Sequence, residues 1–211
     1  MDIEAILREA GIVPVIVLDD EEKAVPLARA LVGGGLKVVE VTFRTAAAAG
    51  AIRRIRAEVP EAVVGAGTLL TVSQLRAARE AGAVFGVAPG FDPLVFKAAV
   101  DDGFPMVPGI ATASELSQAL TAGAKVVKFF PAEAAGGVKT IKNLLGAFRF
   151  TGVKFMPTGG VSPANVRDYL AVPEIVACGG TWIVPKDALA DGDWDAIGRL
   201  AAEAAAIVKG R

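Results

Sequence analysis

The sequence predicts an α/β fold, a parallel (β/α)8 barrel of the TIM type with an extra helix at its N-terminus. Three observations lead there. First, one local pattern recurs, a helix-like stretch, then a glycine, then a β-branched run: ALVGGGLKVVEV (30–41), AAREAGAVFGVAP (77–89) and ALTAGAKVVKFFP (119–131). Glycine just past a periodic apolar stretch is the usual helix stop, and short Val/Ile/Phe runs read as strands buried on both faces. Second, eight such runs fit the 211 residues with helical patterns between them, whereas a doubly wound open sheet usually uses fewer strands. Third, no linker or low-complexity segment divides the chain, and a single core can reach about 200–250 residues before splitting. Residues 1–211 therefore read as one domain.

In chain order, residues 2–10 form a helix that closes the bottom of the barrel. The first strand is PVIVL (14–18) and the second KVVEVTF (37–43), directly after the first helix–glycine joint. AVVGAG (62–67) is the third, and AVFGVA (83–88) follows the second joint as the fourth. PMVPG (105–109) is the fifth, and KVVKFF (125–130) follows the third joint as the sixth. VKFMPT (153–158) and EIVACGG (174–180) complete the set, each running into a glycine pair.

Composition narrows the chemistry. Charged residues make up 21% and the formal net charge is -1, so no broad basic field attracts nucleic acid and the partner is a small molecule. The chain has no histidine and one cysteine. That removes His-dependent triads, the commonest zinc or iron ligand and any thiolate cage, although carboxylates could still hold magnesium. A general acid or base must be Asp, Glu, Lys, Tyr, Cys or water. Cys178 cannot form an internal disulfide, and MDIEAILREAGIV lacks the layout of a secretory signal, so a cytoplasmic location is expected. The mean hydropathy of +0.51 is high, yet charges, Gly or Pro interrupt every apolar stretch well short of the roughly 18 residues of a membrane span. The apolar excess suits helices laid on a parallel sheet and an outer surface buried between subunits.

Alternation along a strand then singles out three charges. In VVEVTFRT (38–45), Val39, Val41 and Phe43 share one face and Val38, Glu40, Thr42 and Arg44 the other. The apolar face suits the helix layer, which turns Glu40, Thr42 and Arg44 towards the barrel axis near the strand's C-terminal end, where barrel active sites are built. The same parity turns Val126, Lys128 and Phe130 inward. Burying an isolated charge costs several kcal/mol, so these groups form either a mutually satisfied ion cluster or a reactive site. In the second reading the apolar neighbours of Lys128 disfavour its ammonium form, and the neutral amine is what attacks a carbonyl.

Two glycine signals, MPTGGVSPANV (156–166) and CGGTWIVP (178–185), stand at the ends of strands seven and eight, where barrels often bind phosphate. Ser162 followed by Pro163 reads as an N-cap with Pro at N1, placing a helix N-terminus beside them. Other residues read as ordinary structure: Trp182 and Trp194 as packing groups, Cys178 as a small buried hydrophobe, and Arg53, Arg54 and Arg56 as a solvated helix face.

Taken together, VPVIV (13–17), EVTFRT (40–45), VGAGT (64–68), APG (88–90), KFFPAE (128–133), PTGG (157–160) and GGTW (179–182) resemble the 2-keto-3-deoxy-6-phosphogluconate aldolase family, which also covers 4-hydroxy-2-oxoglutarate aldolase activity. The resemblance runs from about Ile12 to Trp194. It implies a trimeric, metal- and cofactor-free class I aldolase of the Entner–Doudoroff pathway on a TIM barrel. By motif it implies Lys128 as the Schiff-base lysine and Glu40 as the general acid/base. Arg44 and Thr68 would hold the keto-acid end, Pro89 and Phe130 would wall the pocket, and Gly159, Gly160 and Thr181 would line the phosphate end. Thr181 and Ala88 stand where the family usually has serine; Thr181 keeps the hydroxyl and Ala88 does not. The alternatives are an aldolase preferring 4-hydroxy-2-oxoglutarate or the galactonate epimer, a phosphate-binding isomerase, and a non-catalytic or engineered assembly scaffold.

Overall fold

Val, Ile and Phe runs too short to cross more than a few residues build the centre of the molecule as parallel strands. A computed structural model describes residues 2–210. Its strands are β1 (Ile12–Ile16), β2 (Val38–Thr42), β3 (Val63–Gly67), β4 (Phe85–Val87), β5 (Met106–Val107), β6 (Gly109–Ile110), β7 (Val126–Phe129), β8 (Lys154–Pro157) and β9 (Cys178–Gly180). They pair in the orders β5-β4-β3-β2-β1-β9 and β6-β7-β8, and every paired strand is parallel to its neighbour. The run expected as one fifth strand is thus split in two. Pro108, between β5 and β6, has no N–H to give to a ladder, yet its carbonyl accepts from the Lys128 amide at 2.8 Å. At the other edge, single bridges join Phe155 to Ile175 and Thr158 to Gly179. The result is a TIM-barrel-like α/β arrangement.

Helices alternate with the strands: α2 (Ala24–Gly33), α3 (Ala48–Glu58), α4 (Val72–Glu80), α5 (Pro93–Asp101), α6 (Ala113–Thr121), α7 (Gly137–Phe148), α8 (Val166–Leu170), α9 (Lys186–Asp191) and α10 (Trp194–Lys209). The starts of α4, α5 and α6 are written in the sequence. Thr71 accepts from the Gln74 amide, Asp92 from those of Leu94 and Val95, and Thr112 with Glu115 forms a capping box. No helix among the described residues is long and apolar enough to cross a membrane.

Strand alternation divides the core into two layers. Val39, Val41, Val64, Val127, Phe129 and Phe155 pack outward with the helices. Val13, Val38, Phe85, Val87, Val107, Val126 and Met156 pack together on the inner side. That inner layer includes Leu7 of α1 (Ile3–Ala10), with Ile3, Ile6 and Ala10 packed against it. α1 stands before β1 and packs its apolar side chains against the inner layer. Beyond Val38 and Val126 the charged side chains emerge.

Candidate active site

Glu40 lies two residues past Val38 on β2, and Lys128 two residues past Val126 on β7, so both continue the inner face. The structure bears out that parity: Glu40 is 0% and Lys128 2% exposed, and Lys128 Nζ stands 3.5 Å from Glu40 Oε1. At that distance the contact is an ion pair with a long, weak hydrogen bond. Gly67 on β3 makes it possible, because a Cβ there would lie 2.1 Å from Glu40 Oε1. The second carboxylate oxygen, Oε2, is buried without a hydrogen-bond partner. A buried carboxylate oxygen left without a partner is costly.

Arg44 corrects the expectation of three buried charges. β2 ends at Thr42, and Arg44 sits in the following turn with its side chain exposed. Strand parity cannot be extended past the last ladder residue, so the buried cluster holds two charges, not three. Arg44 remains at the same end of the fold, its Nε donating to Thr68 Oγ1 at 3.2 Å. Thr68, at the end of β3, has φ of 59°, an uncommon conformation that a β-branched residue keeps only when its surroundings impose it. Thr42, on the same face of β2 as Val38 and Glu40, uses its hydroxyl on the Ile16 carbonyl at 2.8 Å.

Pro89 follows β4 and presses its backbone so close to Gly109 that a Cβ there would lie 2.1 Å away. The Phe130 ring stands 5.4 Å from Lys128 Nζ and 3.3 Å from where a Gly159 Cβ would be. It therefore spans from the lysine to the glycine turn. Gly159 and Gly160 have φ of 96° and 81°, conformations glycine adopts readily. Thr181 is exposed in the turn after β9. Since Thr158 bridges Gly179, Gly160 and Thr181 each lie two residues beyond a paired position.

The Ser162 cap does not form. α8 begins at Val166 after Asn165, and Asn165 instead accepts from the Ser162 amide at 2.8 Å and donates to the Gly160 carbonyl at 3.1 Å. The Ser162 carbonyl still accepts from the Asn165 and Val166 amides at 3.2 and 3.0 Å, so what is missing is the serine side-chain bond to the first turn. One residue was passed over in the sequence. Thr158 is 4% exposed with a hydroxyl that has no partner, and a Cβ on Gly179 would lie 2.2 Å from it. Its parity with the inward Met156 was the signal that could have found it.

Among the described residues no group of three or more His, Cys, Asp or Glu side chains is placed to hold a metal ion. A model of the KDPG and KHG aldolase family matches residues 3–200. The chain belongs to this family. It is 53% identical over 201 residues to the KHG/KDPG aldolase of Escherichia coli strain K12, spanning 95% of this chain and 93% of that protein. It is 49% identical over 203 residues to the 2-dehydro-3-deoxy-phosphogluconate aldolase of Haemophilus influenzae, spanning 96% and 95%. Among solved structures, the KDPG aldolase of Legionella pneumophila with pyruvate captured as a covalent carbinolamine intermediate superposes with a TM-score of 0.92. That chain is 39% identical, with 96% of this chain and 97% of that one covered. For an aldolase of this family, a buried amine facing a carboxylate with one unpartnered oxygen is an arrangement able to attack a carbonyl and move protons beside it.

Proposed function

We propose that this chain is a class I aldolase that cleaves 2-keto-3-deoxy-6-phosphogluconate to pyruvate and glyceraldehyde 3-phosphate through a Schiff base on Lys128. The observation that carries the proposal is the buried Lys128–Glu40 pair at 3.5 Å, in a chain of this family. Glu40 takes the proton of the Lys128 ammonium, and the amine attacks the C2 ketone. Glu40 returns protons through the carbinolamine, water leaves, and a protonated imine forms. Glu40 then removes the proton of the C4 hydroxyl, the C3–C4 bond breaks, and its electron pair moves into the imine as an enamine. Glyceraldehyde 3-phosphate departs, C3 is protonated, and hydrolysis releases pyruvate.

Arg44 and Thr68, joined at 3.2 Å, hold the keto-acid carboxylate, Arg44 by charge and Thr68 by its hydroxyl. Pro89 and Phe130 wall the pocket, and Gly159, Gly160 and Thr181 receive the phosphate. The two sheets act as one closed eight-stranded barrel, with β5 and β6 as a single strand interrupted at Pro108 and α1 as its floor. The barrel is one domain, works in the cytoplasm as a homotrimer, and needs neither metal nor cofactor.

A second reading is favoured by the Escherichia coli relative, whose name includes KHG aldolase: cleavage of unphosphorylated 4-hydroxy-2-oxoglutarate at the same lysine. Steady-state pyruvate release from the two substrates distinguishes them. A kcat/KM at least tenfold higher for the phosphorylated sugar acid is expected, and equal values or the reverse order would assign the second.

A further inference from the structure

Glu133 closes the KFFPAE motif and has no part in the proposed chemistry, yet three elements meet on it. Its amide donates to the Gly159 carbonyl at 3.0 Å, and the preceding Ala132 amide donates to the Thr158 carbonyl at 2.8 Å. Its side chain lies across Gly160, where a Cβ would stand 2.6 Å from both Glu133 Cβ and Cγ. Beyond Gly160 the carboxylate reaches α8, where the Tyr169 hydroxyl donates to Glu133 Oε1. Tyr169 is 1% exposed, so its ring is locked by packing while its hydroxyl alone reaches the loop. Gly137 leaves room for this contact, since a Cβ there would lie 3.1 Å from Glu133 Oε1 and 3.3 Å from the Tyr169 oxygen.

We propose that Tyr169 is a positioning residue for the phosphate end of the site, holding Glu133 as a strut across the Gly159–Gly160 turn and drawing its carboxylate away from the ligand. The argument rests on the phosphate reading given above. From one side the turn is held by Asn165 on the Gly160 carbonyl, from the other by the Glu133 amide on the Gly159 carbonyl. Both carbonyls are thereby engaged by protein donors. An exposed loop carboxylate left untethered would sample positions beside the bound phosphate and repel it; the tyrosine bond removes that freedom. Burial first, and then the Glu133 hydrogen bond and charge, push the Tyr169 hydroxyl well above its ordinary pKa, so it keeps its proton and remains the donor.

The test compares KM and kcat of the full-length protein and three variants on 2-keto-3-deoxy-6-phosphogluconate and on 4-hydroxy-2-oxoglutarate. For Tyr169→Phe, KM for the phosphorylated substrate is expected to rise about tenfold, the scale of one hydrogen bond to a charged group. Its kcat values and its KM for the unphosphorylated substrate stay within about twofold by the same reasoning, because the imine end is untouched. Glu133→Ala loses the strut across Gly160 but also the charge, so its KM for the phosphorylated substrate rises by less than that of Tyr169→Phe, because no loose carboxylate remains to repel the phosphate. Glu133→Gln keeps an oxygen acceptor for Tyr169 and stays near wild type, so the exposed-loop pair carries the test even if Tyr169→Phe folds poorly. Equal changes for both substrates, a fall in kcat alone, or no change in any variant would overturn the inference. A wild-type protein with no preference for the phosphorylated substrate would instead bring down the phosphate reading, and the inference with it.

Discussion

At the scale of residues, Lys128 and Glu40 answer different physical demands with one contact. Each charge is buried, and leaving either without its partner costs about 3–5 kcal/mol, so the pair holds itself together before any ligand arrives. Glu40→Gln keeps the shape and loses the base. Its kcat is expected to fall by about 10²- to 10⁴-fold, the usual share of general acid–base catalysis, while pyruvate still adds to Lys128. Full cleavage by Glu40→Gln, read by pyruvate release, would remove Glu40 from the mechanism. Both residues were legible in the sequence because they lie on strands, where a period of two converts position into direction. Arg44 was misplaced for the converse reason: it lies past Thr42, the last residue of β2, where that period no longer applies. Thr158 was legible by the same rule and was missed because the neighbouring glycines drew the reading.

At the scale of elements, helix starts set how firmly each loop at the active end is held. α6 begins with a capping box in which Glu115 accepts from the Ala111 and Thr112 amides, each at 2.8 Å, and Thr112 caps the Glu115 amide. The Ala111 amide, more than the Thr112 contacts and against the opposing effect of burial, holds the Glu115 carboxyl below its ordinary 4.5. A lowered folded value means the stabilisation is present above the unfolded value and is lost as pH falls through the folded one. Thr112→Ala is expected to cost about 1 kcal/mol, lowering Tm by roughly 2–4 °C at neutral pH. In the wild type the Glu115 contribution fades below pH 4.5. A variant that melts with the wild type at neutral pH would contradict the capping account. Caps of this kind are local and could be read, as Thr112 and Glu115 stand three apart. The missing Ser162 side-chain cap shows the limit, since Asn165 ties this loop to the Gly160 carbonyl, a contact that depends on how the preceding turn is folded. The break at Pro108 is local too, although the sequence alone suggested one strand.

At the scale of the whole molecule, the site exists only because strands far apart in the sequence are brought together. Lys128 and Glu40 are 88 residues apart, and the Tyr169–Glu133 contact joins α8 to the loop after β7, so neither pairing can be read from spacing. The recurring helix–glycine–strand unit made the architecture legible and strand parity put Glu40 and Lys128 in one cluster, but nothing local pointed to the Tyr169–Glu133 contact. Large apolar side chains remain on the outside: Leu94 at 73%, Val100 at 59% and Phe150 at 89% exposure. Such groups suit burial between copies, and a native mass of three 21.6 kDa chains is expected; a single-chain mass at micromolar concentration would contradict the trimer. The central claim, that a buried amine brought beside a buried carboxylate forms an imine, is tested most directly by incubating the folded protein with pyruvate, reducing with borohydride and mapping the adduct by mass spectrometry. The account predicts one reduced pyruvate adduct, on Lys128. No adduct, or an adduct on a surface lysine such as Lys139 or Lys142, would contradict it.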